Sequence, residues 1–288
     1  MSHQRDSANL DALRKGLREL GYVEGRNLII EYRSADGRAD RFPELASELV
    51  RLKIDLIVTR GTPAARAAKN ATGTIPVVMA TMGDPRAIAA SFAHPGGNIT
   101  GVTTFSTELT AKRIELLKEL VPNVSRVGLL HNMGNPAAPP EWEEIKIAAR
   151  SLGLQAELLD ARSQGDLSRA FDLAIRQHVD ALVIGADGLT QMHQRTIVDL
   201  VARNRLAAAY PAREFVDAGG LMAYAVKYPD LYFRFASLID KIFKGAKPGD
   251  LPVEQPTKFE LVINLKTAKA LGLRMPQSLL LRADEVIQ

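Results

Sequence analysis

The chain has 288 residues, of which 46% are hydrophobic and 24% are charged, with 21 glycines and 15 prolines. This composition is typical of a packed globular protein and excludes a disordered or fibrous chain. The net charge is +4, and lysines and arginines are scattered singly among acidic residues, so we expect no nucleic-acid partner. Because cysteine is absent, disulfides, thiolate metal sites and cysteine nucleophiles are excluded.

The length exceeds the usual size of one hydrophobic core, so we expect two lobes. No apolar run reaches the roughly 20 residues that span a bilayer. The segment Met1 to Asn9 is polar and lacks the apolar core of a signal peptide. The sequence as it stands therefore shows neither an export signal nor a membrane anchor.

Short β-branched runs alternate with amphipathic helical stretches, a pattern typical of a parallel sheet covered by helices on both faces. The first helix carries leucines at helical spacing and is followed by a predicted strand from Asn27 to Arg33. A second helix, with apolar residues from Phe42 to Leu52 on one face, leads into the apolar strand from Ile54 to Thr59. The same cycle continues through the chain.

The second half of the chain repeats the first. The segment LKIDLIVTRGTP aligns with QHVDALVIGADG, so that Asp55 corresponds to Asp180 and Thr62 corresponds to Asp187. Upstream, EYRSADGRADRF resembles LDARSQGDLSRAF, and the helix ending in ELGY resembles the one ending in SLGL. Downstream, GDPRAIAASFAHPGGNITGV parallels AREFVDAGGLMAYAV. Four matches in the same order indicate an internal duplication.

The repeat also predicts a strand that the first lobe lacks. In the second half, a strand from Arg126 to Leu130 precedes the helix that matches Leu10 to Leu20, whereas a polar nonapeptide precedes that helix in the first half. Such a strand is usually central in a doubly wound sheet, so its slot would hold unpaired backbone groups. We therefore expect the natural protein to begin further upstream, with this strand and an export signal.

A family resemblance extends over the whole chain. It is carried by GLRELGYVEGRNLIIEYRSADGRADRFPELASELV, RGTPAARAAKNATGTIPVV, GDP, HPGGNITGV, KRIELLKELVPN, YPAREFVDAGGLMAY and LPVEQPTKFELVINLKTAKALGL. Through these segments the chain resembles the substrate-binding proteins of ABC transporters with the type I periplasmic-binding fold, in the branch that includes tryptophan and other aromatic-amino-acid binders. The resemblance implies a periplasmic or membrane-tethered, monomeric receptor that passes a small solute to a permease. It implies no enzymatic activity, no cofactor and no metal.

The resemblance also implies an α/β fold of two doubly wound parallel-sheet lobes that are joined by three crossovers and close on the ligand between them. We expect these crossovers near Thr100 to Phe105, Tyr224 to Tyr228 and Leu251 to Pro256. The expected boundaries are 1–103 with 226–250 for the N-lobe, and 104–225 with 251–288 for the C-lobe.

Candidate ligand-binding residues lie where strands end, because ligands of open parallel sheets sit beyond the carboxyl ends of the strands, near helix N-termini. In the N-lobe these residues are two pairs, Gly61 with Thr62 and Gly83 with Asp84. Each pair directly precedes a proline suited to the first helical position. Thr62 and Asp84 are also ordinary helix N-caps, and this explains the residue types equally well.

An amino acid presents a carboxylate and an ammonium, so its site must offer both polarities. The helix N-termini and the Thr62 hydroxyl would take the carboxylate, while Asp84, Asp187 or Glu214 would take the ammonium. Asn132, after a C-lobe strand, could donate and accept hydrogen bonds. The alternatives are a solvated loop carboxylate for Asp187 and Glu214, and a turn residue for Asn132.

Aromatic residues offer a second kind of contact. Tyr210, Tyr224 and Phe105 lie at strand ends or hinges and could stack on an aromatic ligand, with packing in the core or hinge as the alternative. His131 has no partner at metal-ligand spacing, so no metal is expected.

Two other functional classes remain as alternatives. The first is an enzyme, but the sequence lacks the usual signatures of enzymes on this fold, namely GxGxxG, GxxxxGK[ST], GxSxG and HExxH. The ligand-sensing effector domain of a regulator shares the architecture, but such a protein carries a helix-turn-helix before its first lobe. Fold alone does not separate these classes.

Overall fold

The structure, a computed structural model, describes residues 7–82, 89–104 and 106–288. Its helices are α1 (Ser7–Glu19), α2 (Phe42–Arg51), α3 (Thr62–Ala71), α4 (Ser106–Leu120), α5 (Ala138–Ser151), α6 (Asp166–Arg176), α7 (Gly188–Met192), α8 (Gln194–Arg203), α9 (Arg213–Asp217), α10 (Tyr228–Phe243), α11 (Leu265–Ala270) and α12 (Gln277–Arg282). Its strands are β1 (Ile57–Arg60), β2 (Val77–Met82), β3 (Ile99–Thr103), β4 (Arg126–His131), β5 (Gln155–Asp160), β6 (Ala181–Ile184), β7 (Ala207–Tyr210), β8 (Met222–Val226), β9 (Phe259–Asn264) and β10 (Glu285–Ile287).

The chain folds into two compact α/β units and passes between them three times. Unit 1 consists of Met1–Phe105 and Lys227–Thr257, and unit 2 consists of Ser106–Val226 and Lys258–Gln288. Each unit contains a sheet of mainly parallel strands connected by helices, as the alternation of strand and helix patterns predicts.

The segment Leu251–Thr257 lies in unit 1, whereas residues from 251 onward are predicted to belong to the second lobe. Thr100 Oγ1 donates to the Leu251 carbonyl oxygen at 2.8 Å, and the Thr103 N–H donates to the Glu254 carbonyl oxygen at 3.0 Å. These bonds attach the segment to β3. The sequence of Leu251–Thr257 has neither helical nor strand periodicity, so it does not indicate which sheet this segment joins.

Unit 1 contains a three-stranded parallel sheet in the order β1-β2-β3. The central strand β2 is fully buried from Val77 to Ala80. Helix α2 packs against α3, and α1 packs against α10, which joins unit 1 from a later part of the chain. Gly16 allows α1 and α10 to approach closely, because a Cβ at this position would lie 2.6 Å from the Phe233 carbonyl oxygen.

The strand predicted from Asn27 to Arg33 does not form. Within the described residues this stretch makes one isolated bridge, between Glu24 and Leu28, and joins no sheet. Alternating apolar residues favour an extended chain, but a strand also needs a neighbouring strand with which to exchange hydrogen bonds. The prediction was wrong because it considered only the residues of the strand itself.

Unit 2 contains a seven-stranded sheet in the order β10-β9-β8-β7-β6-β4-β5, in which only the β8–β9 pair is antiparallel. The central strands β6 and β7 are buried at every residue, as expected for apolar strands covered on both faces. Helix α6 buries Leu167, Ala170, Phe171 and Ala174, which recur at the spacing of one helix face. Among the described residues no helix is both long enough and apolar enough to cross a membrane.

Candidate functional site

The carboxyl ends of β4 and β6 form the topological switch point of the unit 2 sheet. The chain passes from β4 to β5 on one side and then to β6 on the other side of β4. The segments that follow β4 and β6 therefore start side by side and leave the sheet in different directions, and such a position is where open α/β sheets bind ligands. Asn132 follows β4 directly, and Asp187 lies shortly after β6.

Asp187 is the N-cap residue of α7. Its Oδ1 accepts hydrogen bonds from the Leu189 N–H at 2.8 Å and from Asn132 Nδ2 at 3.1 Å, and its Oδ2 accepts one from Asn135 Nδ2 at 2.9 Å. Three N–H donors fix the orientation of the carboxylate, while a lone pair on Oδ2 stays available. The structure thus unites two of the predicted residues, Asn132 and Asp187, and adds Asn135.

The two asparagines are also turn residues, as the alternative interpretation of Asn132 proposed. Asn132 Oδ1 accepts a hydrogen bond from the Gly134 N–H at 2.9 Å, and Asn135 Oδ1 accepts one from the Ala137 N–H at 3.1 Å. In each amide the oxygen accepts a hydrogen bond from the backbone of its own loop, and the nitrogen donates one to Asp187. Asn135 was missed in the sequence, although it stands in the same motif, HNMGNP, as Asn132.

A buried polar cluster lies beneath this site. His131 is 1% exposed and Glu141 5% exposed, and His131 Nε2 lies 3.3 Å from Glu141 Oε2. Ser106 Oγ donates to Glu141 Oε2 at 3.1 Å, and Thr110 Oγ1 lies 3.2 Å from Glu141 Oε1. Glu141, ten residues along the chain from His131, is thus the hydrogen-bond partner of the ring, a contact that the search for metal-ligand spacing did not address.

The cluster is connected to the site through the backbone of Asn132. The Asn132 N–H donates to His131 Nδ1 at 3.0 Å, so in this arrangement the ring proton is on Nε2 and faces Glu141. The side of the His131 ring packs against Gly185, where a Cβ would lie 2.8 Å from Nδ1. His131 therefore holds the start of the Asn132 loop in place.

The charges of the cluster compensate one another. Burial raises the pKa of Glu141, but the hydrogen bond and charge of His131, the Ser106 hydroxyl and the charge of Arg113 outweigh this effect, so the net shift is downward. Burial lowers the pKa of His131, but the hydrogen bond and charge of Glu141 outweigh it, so the net shift is upward. Arg113 is itself buried, and its Nε donates to the Tyr224 carbonyl oxygen at 2.9 Å.

The cluster does not resemble a metal site. Within the ranges that the structure describes, no three His, Asp or Glu side chains are grouped closely enough to hold a metal ion. Glu141 could have been recognised from the sequence, because Glu141, Ile145 and Ala149 share one helix face and all three are buried.

Tyr210 is a core residue, so the prediction that it stacks on a ligand was wrong. It is 0% exposed, and its ring stacks on Phe215 with the centroids 5.1 Å apart. Gly220 leaves room for the ring, because a Cβ there would lie 2.6 Å from Tyr210 Cε2. Burial raises the pKa of the Tyr210 hydroxyl, which has no hydrogen-bond partner among the residues that the structure describes.

Tyr224 stays a predicted ligand contact. It lies inside β8 opposite Leu261 rather than at a strand end, and its ring stacks on Phe259 with the centroids 6.0 Å apart. The half-buried ring packs against the hydrophobic core of unit 2. Phe105, the third aromatic residue considered, lies outside the described residues.

Glu214 is half-buried in the first turn of α9. Its neighbour Arg213 forms a two-point ion pair with Glu285, with N–O distances of 2.5 and 2.7 Å. No hydrogen bond or ion pair of the Glu214 carboxylate occurs within the part of the chain that the structure describes. Glu214 therefore stays a candidate for a positively charged ligand group.

In unit 1 the structure changes the role of Thr62. Gly61, with a φ of 80°, is the N-cap of α3, and buried Thr62 is the first helical residue, followed by Pro63. The prediction that Thr62 caps the helix and Pro63 begins it was therefore wrong by one residue. The left-handed φ explains why glycine stands at the cap. Gly83 and Asp84 lie outside the described residues.

Comparison with known proteins gives consistent matches over nearly the full chain. The profile of the family described as ABC transporter substrate binding protein matches residues 1–287. The chain is 26% identical over 272 residues to a tyrosine-binding protein of Clostridioides difficile strain R20291, and the match covers 92% of this chain and 78% of that protein.

Two solved structures are similar in both fold and sequence. A conserved domain protein from Vibrio cholerae has a TM-score of 0.93 and 28% identity, with 98% of this chain and 95% of that chain covered. An ABC domain from Streptococcus pneumonia, in complex with L-Trp, has a TM-score of 0.92 and 29% identity, with the same coverage. These matches confirm the predicted fold class.

Proposed function

Because the chain belongs to the ABC transporter substrate-binding proteins, we propose that it binds an aromatic α-amino acid and delivers it to a membrane permease. The family confirms the resemblance found in the sequence. The observation that carries the proposal is the cluster of Asp187, Asn132 and Asn135 at the switch point of the unit 2 sheet. Two relatives support the class of ligand, one named for tyrosine binding and one in complex with L-Trp.

The cluster suits the ammonium of an amino acid. Asp187 keeps a free lone pair on Oδ2, and the two asparagine amides that bond to it prevent the carboxylate from turning away. Glu214 is the alternative carboxylate, since it is half-buried without a partner among the described residues. Asn132 lies beside Asp187 and would contact the same end of the ligand.

The carboxylate of the ligand requires N–H or O–H donors. At the N-terminus of α3 the Gly61 N–H donates to the Thr81 carbonyl oxygen at 2.8 Å, so this terminus offers the Thr62 N–H and hydroxyl together with a positive dipole end. Gly83 and Asp84, which precede Pro85 as Gly61 and Thr62 precede Pro63, are predicted ligand contacts from the sequence alone. We include all four residues in the proposed ligand-binding set.

The relatives are substrate-binding proteins and not enzymes, so the proposal contains no catalytic step. The family consists of extracytoplasmic or membrane-associated solute-binding proteins. We extend this description to the present chain and propose that it acts as a monomer, in the periplasm or tethered to the membrane, with an ABC permease as its partner. Closure of two lobes on the ligand remains a prediction from the sequence, and a ligand-dependent decrease in the radius of gyration would support it.

A thermal-shift panel tests the ligand class. L-Trp, L-Tyr and L-Phe are compared with L-Leu, with tryptamine, which lacks the carboxylate, and with indole-3-propionate, which lacks the ammonium. At 100 times the Kd a ligand stabilises the protein by about 2.7 kcal/mol, which raises Tm by about 5–10 °C for a unit of this size. We expect this shift only with the aromatic L-amino acids. A Tm that responds to none of them contradicts the proposal.

A further inference from the structure

Both ring nitrogens of His131 form hydrogen bonds, and only one of them carries a proton. Nε2 lies 3.3 Å from Glu141 Oε2, and Nδ1 accepts a hydrogen bond from the Asn132 N–H at 3.0 Å. Because Nδ1 is an acceptor, this arrangement requires a neutral ring, since both nitrogens of a protonated ring are donors. A second proton, on Nδ1, would face the Asn132 N–H and break this hydrogen bond.

Asn132 connects the ring to the carboxylate that is proposed to hold the ligand. Its Nδ2 donates to Asp187 Oδ1 at 3.1 Å, and its Oδ1 accepts a hydrogen bond from the Gly134 N–H at 2.9 Å. With the bond from its N–H to His131, Asn132 is fixed at three atoms. Loss of the bond to the ring would free the start of the loop and move the amide that orients Asp187.

Acidic groups face the ring from three elements. They are Glu141 on α5, Asp160 at the end of β5, where it is paired with His131, and Asp187 before α7, while buried Arg113 on α4 is the cation of the same cluster. Burial lowers the pKa of His131, but the hydrogen bond and charge of Glu141 and the charges of the two aspartates outweigh it. The net shift of this pKa is upward, so the ring takes its second proton at a higher pH than an ordinary histidine does.

A ligand ammonium on Asp187 would oppose that proton. The negative charge of Asp187 stabilises the protonated ring of His131, and an ammonium bound to the same carboxylate compensates this charge. The proton on Nδ1, in turn, removes the bond that holds Asn132. Each event thus disfavours the other, and such a coupling acts equally in both directions.

We propose that His131 is a positioning residue for ligand binding, whose neutral ring holds Asn132 in place and whose protonation at Nδ1 lowers the affinity for the ligand. This inference rests on the proposed function, because it concerns the same ligand and the same carboxylate. It adds that release of the ligand is coupled to uptake of a proton. The affinity is fully present above the pKa of the ring in the folded protein and decreases as the pH falls through that pKa.

Two substitutions separate the roles of the two ring nitrogens. His131→Asn places an oxygen that does not titrate near the position of Nδ1, where it can accept the Asn132 N–H. His131→Gln places its amide near the position of Nε2, where it can donate to Glu141 but leaves the Asn132 N–H without an acceptor. His178→Asn is the control, because His178 is exposed in the same unit and has a left-handed φ of 52°, which asparagine tolerates.

Calorimetric titration with L-Trp and L-Tyr measures the Kd of each protein from about pH 8.5 to about pH 5.5, a range that brackets the usual pKa of histidine. Each titration is repeated in two buffers of different ionisation enthalpy, and the difference gives the number of protons released on binding. Urea unfolding of the same proteins shows at which pH values each of them is folded.

We expect the original chain and His178→Asn to lose affinity by about tenfold or more on acidification and to release protons as the amino acid binds, because the ligand favours the neutral ring. Both His131 variants should lose most of this pH dependence and of the proton release. His131→Asn should bind about threefold or more tightly than His131→Gln, because only asparagine keeps the acceptor for the Asn132 N–H.

NMR of the original chain supplies the test if the His131 variants do not fold. The Asn132 amide and the ring nitrogens of His131 should shift with the same midpoint in a pH titration. Addition of L-Trp or L-Tyr should move this midpoint to lower pH, because the bound amino acid disfavours the ring proton.

Three results would overturn this inference alone: the same loss of affinity on acidification in His131→Asn as in the original chain, equal affinities of the two His131 variants, or a ring midpoint that does not move when the amino acid binds. If neither amino acid binds at any pH, the proposed function is contradicted and the inference fails with it. The two kinds of failure are therefore distinguishable.

Discussion

Asn132 Nδ2 donates to Asp187 Oδ1 over 3.1 Å, and this bond connects the loop after β4 to the N-terminus of α7. The Asp187 carboxylate also accepts the Leu189 N–H at 2.8 Å, so one side chain caps a helix and orients a loop. Capping a helix and contacting a ligand are therefore compatible roles for Asp187. Separating them requires variants that remove one role at a time.

Asp187→Ser keeps an N-cap oxygen but removes the carboxylate, whereas Asp187→Ala removes both. We expect Asp187→Ser to weaken the Kd for an aromatic amino acid at least tenfold, because a charge-assisted bond to the ammonium is lost. Both variants lose the bonds from Asn132 and Asn135, so Asp187→Ser should lose some stability, and Asp187→Ala, which also loses the N-cap bond, should lose about 1 kcal/mol more. Calorimetric titration and urea unfolding measure the two effects. Unchanged affinity in Asp187→Ser would remove Asp187 from the ligand site.

Glu214→Gln tests the second carboxylate. Glu214 has no partner among the described residues, so neutralising it should change the free energy of unfolding by less than about 0.5 kcal/mol. If Glu214 holds the ammonium, the Kd rises tenfold or more while stability is unaffected. Asp217→Asn, on the same helix, is the control; it loses an ion pair with Arg213 at 3.4 Å and should bind as the original protein does. If the two variants bind the ligand with equal affinity, Glu214 does not hold the ammonium, and Asp187 is the proposed carboxylate.

Glu141→Gln tests the buried cluster. Glu141 balances the buried Arg113 and bonds to His131, so removing its charge leaves a buried cation without compensation. We expect a loss of about 3 kcal/mol in the free energy of unfolding, measured by urea denaturation. Glu143→Gln is the control, because Glu143 is exposed on the same helix and pairs with the exposed side of the helix through Lys146. A loss no larger than that of the control would show that the cluster does not stabilise unit 2.

We expect the Asp180→Asn substitution to change the free energy of unfolding by an amount that depends on pH. Burial raises the pKa of Asp180, but hydrogen bonds from the Ser125 and Arg126 N–H groups outweigh it, so the net shift is downward. The carboxylate therefore stabilises the fold fully above its unfolded pKa of about 3.9, and this contribution disappears as the pH falls through the lower folded pKa. We expect Asp180→Asn to be about 1.5 kcal/mol less stable than the original protein at pH 7.

Urea unfolding of both proteins over a series of pH values measures this difference. The gap between them should stay constant from neutral pH down to the unfolded pKa of the carboxyl and then close on further acidification. A gap that is the same at all pH values would show that Asp180 acts by packing rather than by charge.

The sequence predicts much of the fold because local patterns decide it. Leu167, Ala170, Phe171 and Ala174 recur at helical spacing, and α6 buries all four. The run Ala181–Ile184 is apolar throughout, and β6 is buried at every residue. The extended stretch from Asn27 to Arg33 has an equally favourable pattern but forms no strand, because sheet formation depends on a neighbour that the pattern does not reveal.

The candidate site is only partly predictable for a similar reason. Asn132 and Asp187 follow adjacent strands, and the sequence places them at the same edge of the sheet. Tyr210 also ends a strand, yet its ring turns into the core beside Phe215, since a strand end does not determine which way a side chain points. Glu141 can be recognised in the sequence as an acidic residue on an apolar helix face, but its contact with His131, on a different element, appears only after folding.

The most direct test of the central claim is isothermal titration of the purified chain with L-Trp and L-Tyr, with tryptamine as the ligand that lacks the carboxylate. We predict one binding site per chain for at least one of the two amino acids, with tryptamine at least tenfold weaker. If neither amino acid binds to protein whose circular dichroism shows the α/β fold, the proposal of an aromatic-amino-acid receptor is contradicted.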